Sequence, residues 1–150
     1  VIKNFRRLYD EIYFKDFEIY NGINELIDKV SNFCKCFIIT NKPTNPSIEI
    51  IRKLNLNQYF EEIIGINYFS KNGLSKTDNI SKLILKKNLS KKITFYIGDT
   101  KADFDASLQN NINFIAFTKG YYSWKNEELS DIFYHYDNPH KLLNKLRNLR

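Results

Sequence analysis

Three carboxylates follow an apolar run and a glycine in ITFYIGDTKADFDAS, from Ile93 to Ser107, and nowhere else is the chain so well arranged to do chemistry. Ile93, Thr94, Phe95, Tyr96 and Ile97 are largely β-branched or aromatic without polar alternation, the pattern of a strand buried on both faces of a parallel sheet. Gly98 lets the chain turn. Asp99 then stands at the strand end and Asp103 at the start of a helix, where open α/β sheets assemble their sites. Hard carboxylate oxygens there suit Mg²⁺, which takes one or two protein carboxylates and leaves its other positions to water and substrate phosphate. Turn and N-cap chemistry is the competing explanation, because Gly-Asp at a strand end is common in turns.

Two more segments carry polar groups of the same kind. Thr40 and Asn41 end an earlier strand, where the Thr40 hydroxyl and the backbone N–H groups around it are suited to phosphate oxygens. Lys76 lies in a loop before a helix, placed to neutralise a phosphate and a carboxylate together. Singly these residues are ordinary: Thr-Asn-Lys-Pro is loop chemistry, and a lysine near a glycine is usually solvated. Their joint order along the chain fits phosphoryl transfer better than any other reaction.

The elements that must position them alternate. Phe5, Leu8, Tyr9, Ile12 and Tyr13 recur at helical spacing within Val1–Phe17, and Ile23, Leu26, Ile27, Val30 and Phe33 mark a second helix after the Asn21-Gly22 turn. A strand Cys36–Thr40 precedes a helix capped by Asn45 with Pro46 at its first position. Strand Phe60–Ile66, a helix through Ile80, Leu83 and Ile84, strand Ile93–Ile97, helix Ala102–Asn110 and strand Asn113–Thr118 follow. A short strand Phe133–Tyr136 and a helix started by Asn138-Pro139 complete the series. Such alternation predicts an α/β fold with a doubly wound, mainly parallel sheet.

Bulk composition narrows the rest. The 150 residues suit one domain, and 23 Lys+Arg against 17 Asp+Glu give a net charge of +6. The lysines are scattered singly or in pairs such as Lys86-Lys87 and no nucleic-acid motif is readable, so no nucleic-acid partner is expected. Cys34 and Cys36 would make a strained disulfide, and with His135 and His140 distant no zinc spacing exists. Free thiols point to a reducing, cytoplasmic setting, and no apolar stretch reaches membrane-span length. The chain starts at Val1 and contains no methionine, which reads as a fragment of a longer protein.

On these residues the chain resembles the haloacid dehalogenase superfamily of hydrolases, in its phosphoglycolate phosphatase-like branch, over nearly its whole length. FRRLYDEIYF and IYNGINELI resemble the last cap helix and the return into the core, with Asn21 where these enzymes usually have proline. CFIITNKP is similar to the second motif and FEEIIGINY to the third core strand. GLSKTDNISKLI resembles the third motif, with Thr77 where proline is frequent, and YIGDTKADFDAS the fourth. The resemblance implies a cap remnant over 1–20 and a Rossmann-like hydrolase core over 21–150. It implies Thr40 as a phosphate ligand with Asn41 beside it, Lys76 as the lysine steadying nucleophile and phosphate, and Asp99 with Asp103 as magnesium-binding acids. Asp105 has no counterpart.

It also implies covalent catalysis on a small phosphorylated metabolite through an aspartyl-phosphate. The family's nucleophile sits in Asp-x-Asp-x-Thr at the end of the first, central strand, and no such motif occurs here. The chain alone is therefore expected to be inactive. Strands 36–40 and 93–97 are expected to flank an empty slot about 9–10 Å wide, with no bonds across it. A catalytically inactive phosphate- or protein-binding domain is the rival. A receiver-like signalling domain is disfavoured because it carries its acids early and its lysine late, the reverse of Lys76 and Asp99.

Overall fold

The computed structural model describes residues 19–149, so the helical reading of Phe5 to Tyr13 and nearly all of segment 1–20 lie outside the described residues. Gly22, at φ 85°, turns the chain into α1 (Ile23–Ser31), whose apolar side carries Ile23, Leu26 and Val30. Then come β1 (Phe37–Ile39), α2 (Thr44–Lys53), β2 (Glu62–Ile64), α3 (Lys76–Lys87), β3 (Phe95–Gly98) and α4 (Lys101–Gln109). The series ends with β4 (Asn113–Phe117), α5 (Asn126–Ser130), β5 (Tyr134–Tyr136) and α6 (Pro139–Arg147). Asn138 caps α6 as its side-chain oxygen accepts the His140 N–H at 2.9 Å. Among the described residues no helix is long and apolar enough to cross a membrane.

Every strand pair is parallel, and β4 shows why both faces are covered. Ile115 and Phe117 pack with Leu26, Leu142, Leu143 and Leu146 of α1 and α6, while Phe114 and Ala116 pack with Phe104, Trp124 and Ile132 on the other side. Alternate side chains of one strand thus serve two layers, the doubly wound arrangement. Ile80 and Ile84 of α3 join Ala106 and Ile112 in a further cluster that reaches Ile39 and Tyr96.

The sheet is interrupted. β1 pairs only with β2, and β3 pairs with β4 and through it β5, so the described strands form two separate sheets. Between them lies a cavity of about 560 Å³ lined by Phe37 to Ile39 of β1 and Phe95 to Ile97 of β3. Helical side chains from both layers, Val30 and Leu146 on one side and Ile80 and Ile84 on the other, close it in. Among the described residues no strand pairs across this gap, so the facing edges of β1 and β3 have no described strand partner.

That slot explains one correction. Strand 93–97 is not buried on both faces: Ile93 is 75% exposed in a 3₁₀ turn (Lys91–Ile93), and Ile97 is 44% exposed where it borders the cavity. Asn45 is a second correction, because α2 starts two residues earlier than expected, at Thr44, with Pro43 in the cap position. Pro46 fits the first turn, where backbone N–H groups have no intrahelical partner. The Thr44 N–H instead donates to Asn67 Oδ1 at 2.9 Å, a contact 23 residues away that no local pattern signals. Cys34 and Cys36 are not joined in a disulfide, and burial foremost pushes the Cys36 thiol up to about 11.

Glu62, at the start of β2, receives Lys86 Nζ at 2.8 Å, Lys87 Nζ at 2.6 Å and the Tyr68 hydroxyl at 2.7 Å, tying β2 to the end of α3. Burial alone would raise its carboxyl, but these donors hold it at about 2 against an ordinary 4.5. A depressed folded pKa gives stability that is full above the ordinary value and drains as pH falls toward the folded one. The melting-temperature gap between wild type and Glu62→Gln is therefore expected to be widest above pH ~5 and to close toward pH ~2. A gap constant across that window would remove the cluster from the acid response.

Candidate active site

α3 begins where Ser75 Oγ accepts the Asp78 N–H at 3.0 Å, which makes Lys76 the first helical residue rather than a loop residue. A cation at that end opposes the helix dipole. It is held there by a carboxylate: Lys76 Nζ donates to Asp103 Oδ1 across 27 residues of sequence. Asn110 Nδ2 fixes the two helices by donating to Thr77 O at 3.0 Å and Ala106 O at 2.9 Å.

Asp103 is buried and fully engaged. Oδ1 also accepts the Tyr96 hydroxyl at 3.3 Å, and Oδ2 accepts the Thr100 N–H at 3.1 Å and hydroxyl at 2.6 Å, forming a capping box at the start of α4. Burial would raise this carboxyl, but Lys76 and Thr100 outweigh it and hold it below its ordinary value. The same environment raises the Tyr96 phenol, through burial first and then the Asp103 charge. Tyr96 is a site residue that the sequence pattern hid, because its place in an apolar strand reads as core.

Asp99, one residue past β3, is held differently. Its Oδ2 accepts the Tyr121 N–H at 2.8 Å, while Oδ1 has no hydrogen-bond partner among the described residues. Thr40 Oγ1 accepts the Lys42 N–H at 3.2 Å in the turn after β1, and Asn41 is exposed there. No hydrogen bond joins Thr40 or Asn41 to Lys76, Asp99 or Asp103 among the described residues. The structure thus unites Lys76 with Asp103 and packs Gly98, the residue before Asp99, against Asp103, with Thr40 and Asn41 at the end of β1, which borders the slot opposite β3. Asp105 pairs with Lys101 at 3.6 Å on the surface of α4, away from this cluster.

Oxygen donors fit a hard cation here. Among the described residues no three His, Cys, Asp or Glu side chains converge, so a bound ion would draw most of its ligands from water and substrate, as Mg²⁺ does. The unengaged Oδ1 of Asp99 is the direct donor available, whereas Asp103 would have to release an existing partner or act through water.

Gly98 is required by the packing. A Cβ there would stand 2.6 Å from Asp103 Cβ and 2.7 Å from its Cγ. Gly98→Ala is expected to cost about 1–3 kcal/mol of stability through this overpacking, read by urea unfolding. A midpoint equal to wild type would show that Asp103 has room to move. Three aromatic residues follow Gly120, namely Tyr121, Tyr122 and Trp124, and they divide in two. Trp124 packs on Phe114 and Tyr122, and the Tyr122 hydroxyl donates to Glu128 at 2.9 Å, while Tyr121 is 92% exposed.

Comparison with known proteins matches residues 1–117 to the family model described as haloacid dehalogenase-like hydrolase. A phosphoglycolate phosphatase of Rhodobacter capsulatus is 25% identical over 105 residues, which are 69% of this chain and 46% of that protein. The chain thus spans about half the length of that curated relative. Among solved structures, a candidate phosphatase from Clostridium difficile superposes with a TM-score of 0.84 at 22% identity, covering 97% of this chain and 68% of that one. A candidate hydrolase of the same family from Bacillus subtilis, bound to magnesium, gives 0.77 at 15% identity, covering 93% and 60%. At these identities the superpositions establish the fold.

Proposed function

This chain belongs to the haloacid dehalogenase-like hydrolase family, and on that premise we propose that it forms the metal- and lysine-bearing part of a magnesium-dependent phosphomonoesterase acting on a small phosphorylated metabolite. The observation that carries the reading is the Lys76 ammonium locked onto buried Asp103, at the start of the helix that follows Asp99, whose Oδ1 has no hydrogen-bond partner among the described residues. The relative named phosphoglycolate phosphatase makes 2-phosphoglycolate the first substrate to try. Two cysteines without a disulfide are in keeping with a cytoplasmic setting.

Each residue has a role in that reading. Thr40 Oγ1 and the N–H groups around Asn41 bind the phosphoryl oxygens. Lys76 spreads positive charge over those oxygens and the attacking carboxylate, and Asp103, steadied by Thr100 and Tyr96, keeps the ammonium on station. Asp99 and Asp103 would hold Mg²⁺, Asp99 offering the Oδ1 that has no hydrogen-bond partner among the described residues. When bound, the ion neutralises phosphate charge so that one anion can approach another. The attacking carboxylate belongs to a strand that seats in the slot between β1 and β3. It forms a bond to phosphorus as the ester oxygen leaves, and water then cleaves the acyl phosphate to inorganic phosphate and the free carboxylate.

A phosphate- or protein-binding role without turnover is the alternative, favoured by the lack of Asp-x-Asp-x-Thr in the chain. Phosphate release from 2-phosphoglycolate, with and without Mg²⁺ and with and without an apolar strand ending in that motif, separates the two. Release that needs both additions supports the enzyme. Strand binding without release supports the binder.

A further inference from the structure

We infer that the turn Lys119–Tyr122 is a built seat for Asp99, and that Gly120 is a positioning residue for cation binding. The inference rests on the proposed metal role of Asp99. Asp99 is gripped twice by this turn: Tyr121 N–H donates to its Oδ2 at 2.8 Å, and Tyr122 N–H donates to its backbone carbonyl at 3.2 Å. With Oδ2 and the main chain both held, rotation of the carboxylate is blocked and Oδ1 is left for an external partner.

Gly120 lies against the carboxylate itself. A Cβ at this position would stand 2.2 Å from Asp99 Cβ, 2.5 Å from Oδ2 and 2.8 Å from Cγ, and the first of these is not a flexible end that can swing aside. The turn cannot yield either, because it is anchored on both sides. Before it, the Thr118 N–H donates to Tyr136 O at 2.9 Å and Tyr20 hydroxyl donates to Lys119 O at 3.3 Å. After it, Tyr122 is tied to Glu128, and Trp124 packs on Phe114. Any side chain at 120 therefore displaces Asp99 rather than the loop. Tyr121 lends only its N–H to this contact, since its ring is 92% exposed.

Supporting groups behind a metal ligand typically govern affinity by about 10–100-fold. Mn²⁺ added to the 150-residue chain, followed by paramagnetic broadening of amide resonances, gives the affinity without any need for turnover. Gly120→Ala is expected to weaken Mn²⁺ binding at least about tenfold. Added to Asp99→Asn it should cause no further loss, because both act through one carboxylate. Wild-type affinity in Gly120→Ala, or losses that multiply in the double variant, overturns the seat. If Asp99→Asn itself binds Mn²⁺ like wild type, the metal reading fails first and the seat falls with it. Should Gly120→Ala not fold, the Tyr121 amide of the unmodified chain decides. Slow hydrogen exchange that is lost in Asp99→Ala supports the grip, and exchange at the rate of a free amide in the unmodified chain overturns it.

Discussion

Replacing Lys76 by alanine should lower kcat of the proposed phosphomonoesterase by about 10²–10³, the usual consequence of removing a donor aimed at charge developing in the transition state. The same substitution should also weaken the fold. Lys76 neutralises Asp103, whose side chain is 5% exposed, and stripping one partner from a buried ion pair costs about 3–5 kcal/mol. The two effects separate in a double variant. Lys76→Ala with Asp103→Asn removes the stranded charge and should recover much of the stability, read by urea unfolding, while kcat stays low. Recovery of both together would mean that Lys76 is structural, and retention of wild-type kcat in Lys76→Ala would take it out of the site altogether.

The second large effect concerns the slot. The 150-residue chain alone should not turn over phosphomonoesters at all, because a metal ligand and a lysine without a nucleophile leave no covalent intermediate to form. Its stability should be marginal as well, since the facing edges of β1 and β3 have no strand partner among the described residues and border an apolar cavity of about 560 Å³. An extended apolar segment ending in Asp-x-Asp-x-Thr, supplied as a peptide or fused ahead of residue 1, should pair with both edges, raise the melting temperature and bring Mg²⁺-dependent hydrolysis with it. A segment of scrambled order should do neither. Robust hydrolysis by the chain alone, abolished by Asp99→Asn, would mean that the nucleophile lies within these 150 residues.

Much of this was legible in the sequence because it is written locally. The periodicity of Ile80, Leu83 and Ile84, the Asn138-Pro139 start signal and the Gly98-Asp99 strand end each depend on neighbours a few residues away, and each lies where the pattern places it. The chain order of Thr40, Lys76, Asp99 and Asp103 carried the family resemblance. What stayed hidden is tertiary. Pairing of Lys76 with Asp103 spans 27 residues, Tyr121 reaches Asp99 across 22, and Asn67 takes the place of a local cap for α2 across 23. Tyr96 looked like core because its ring is core, and only its hydroxyl belongs to the site. Ile97 looked buried because strand residues of that type usually are, and only the gap in the sheet leaves it open.

The most direct measurement is to trap the phosphoryl group. The chain is mixed with the Asp-x-Asp-x-Thr strand, Mg²⁺ and 2-phosphoglycolate, quenched in acid within one turnover, and digested for mass spectrometry. The account predicts phosphate on the first aspartate of the supplied strand, absent when that residue is asparagine and strongly reduced with Lys76→Ala or Asp99→Asn in the chain. Phosphate on a residue of the chain itself, or a strand that binds and stabilises the fold yet is never phosphorylated, would contradict it.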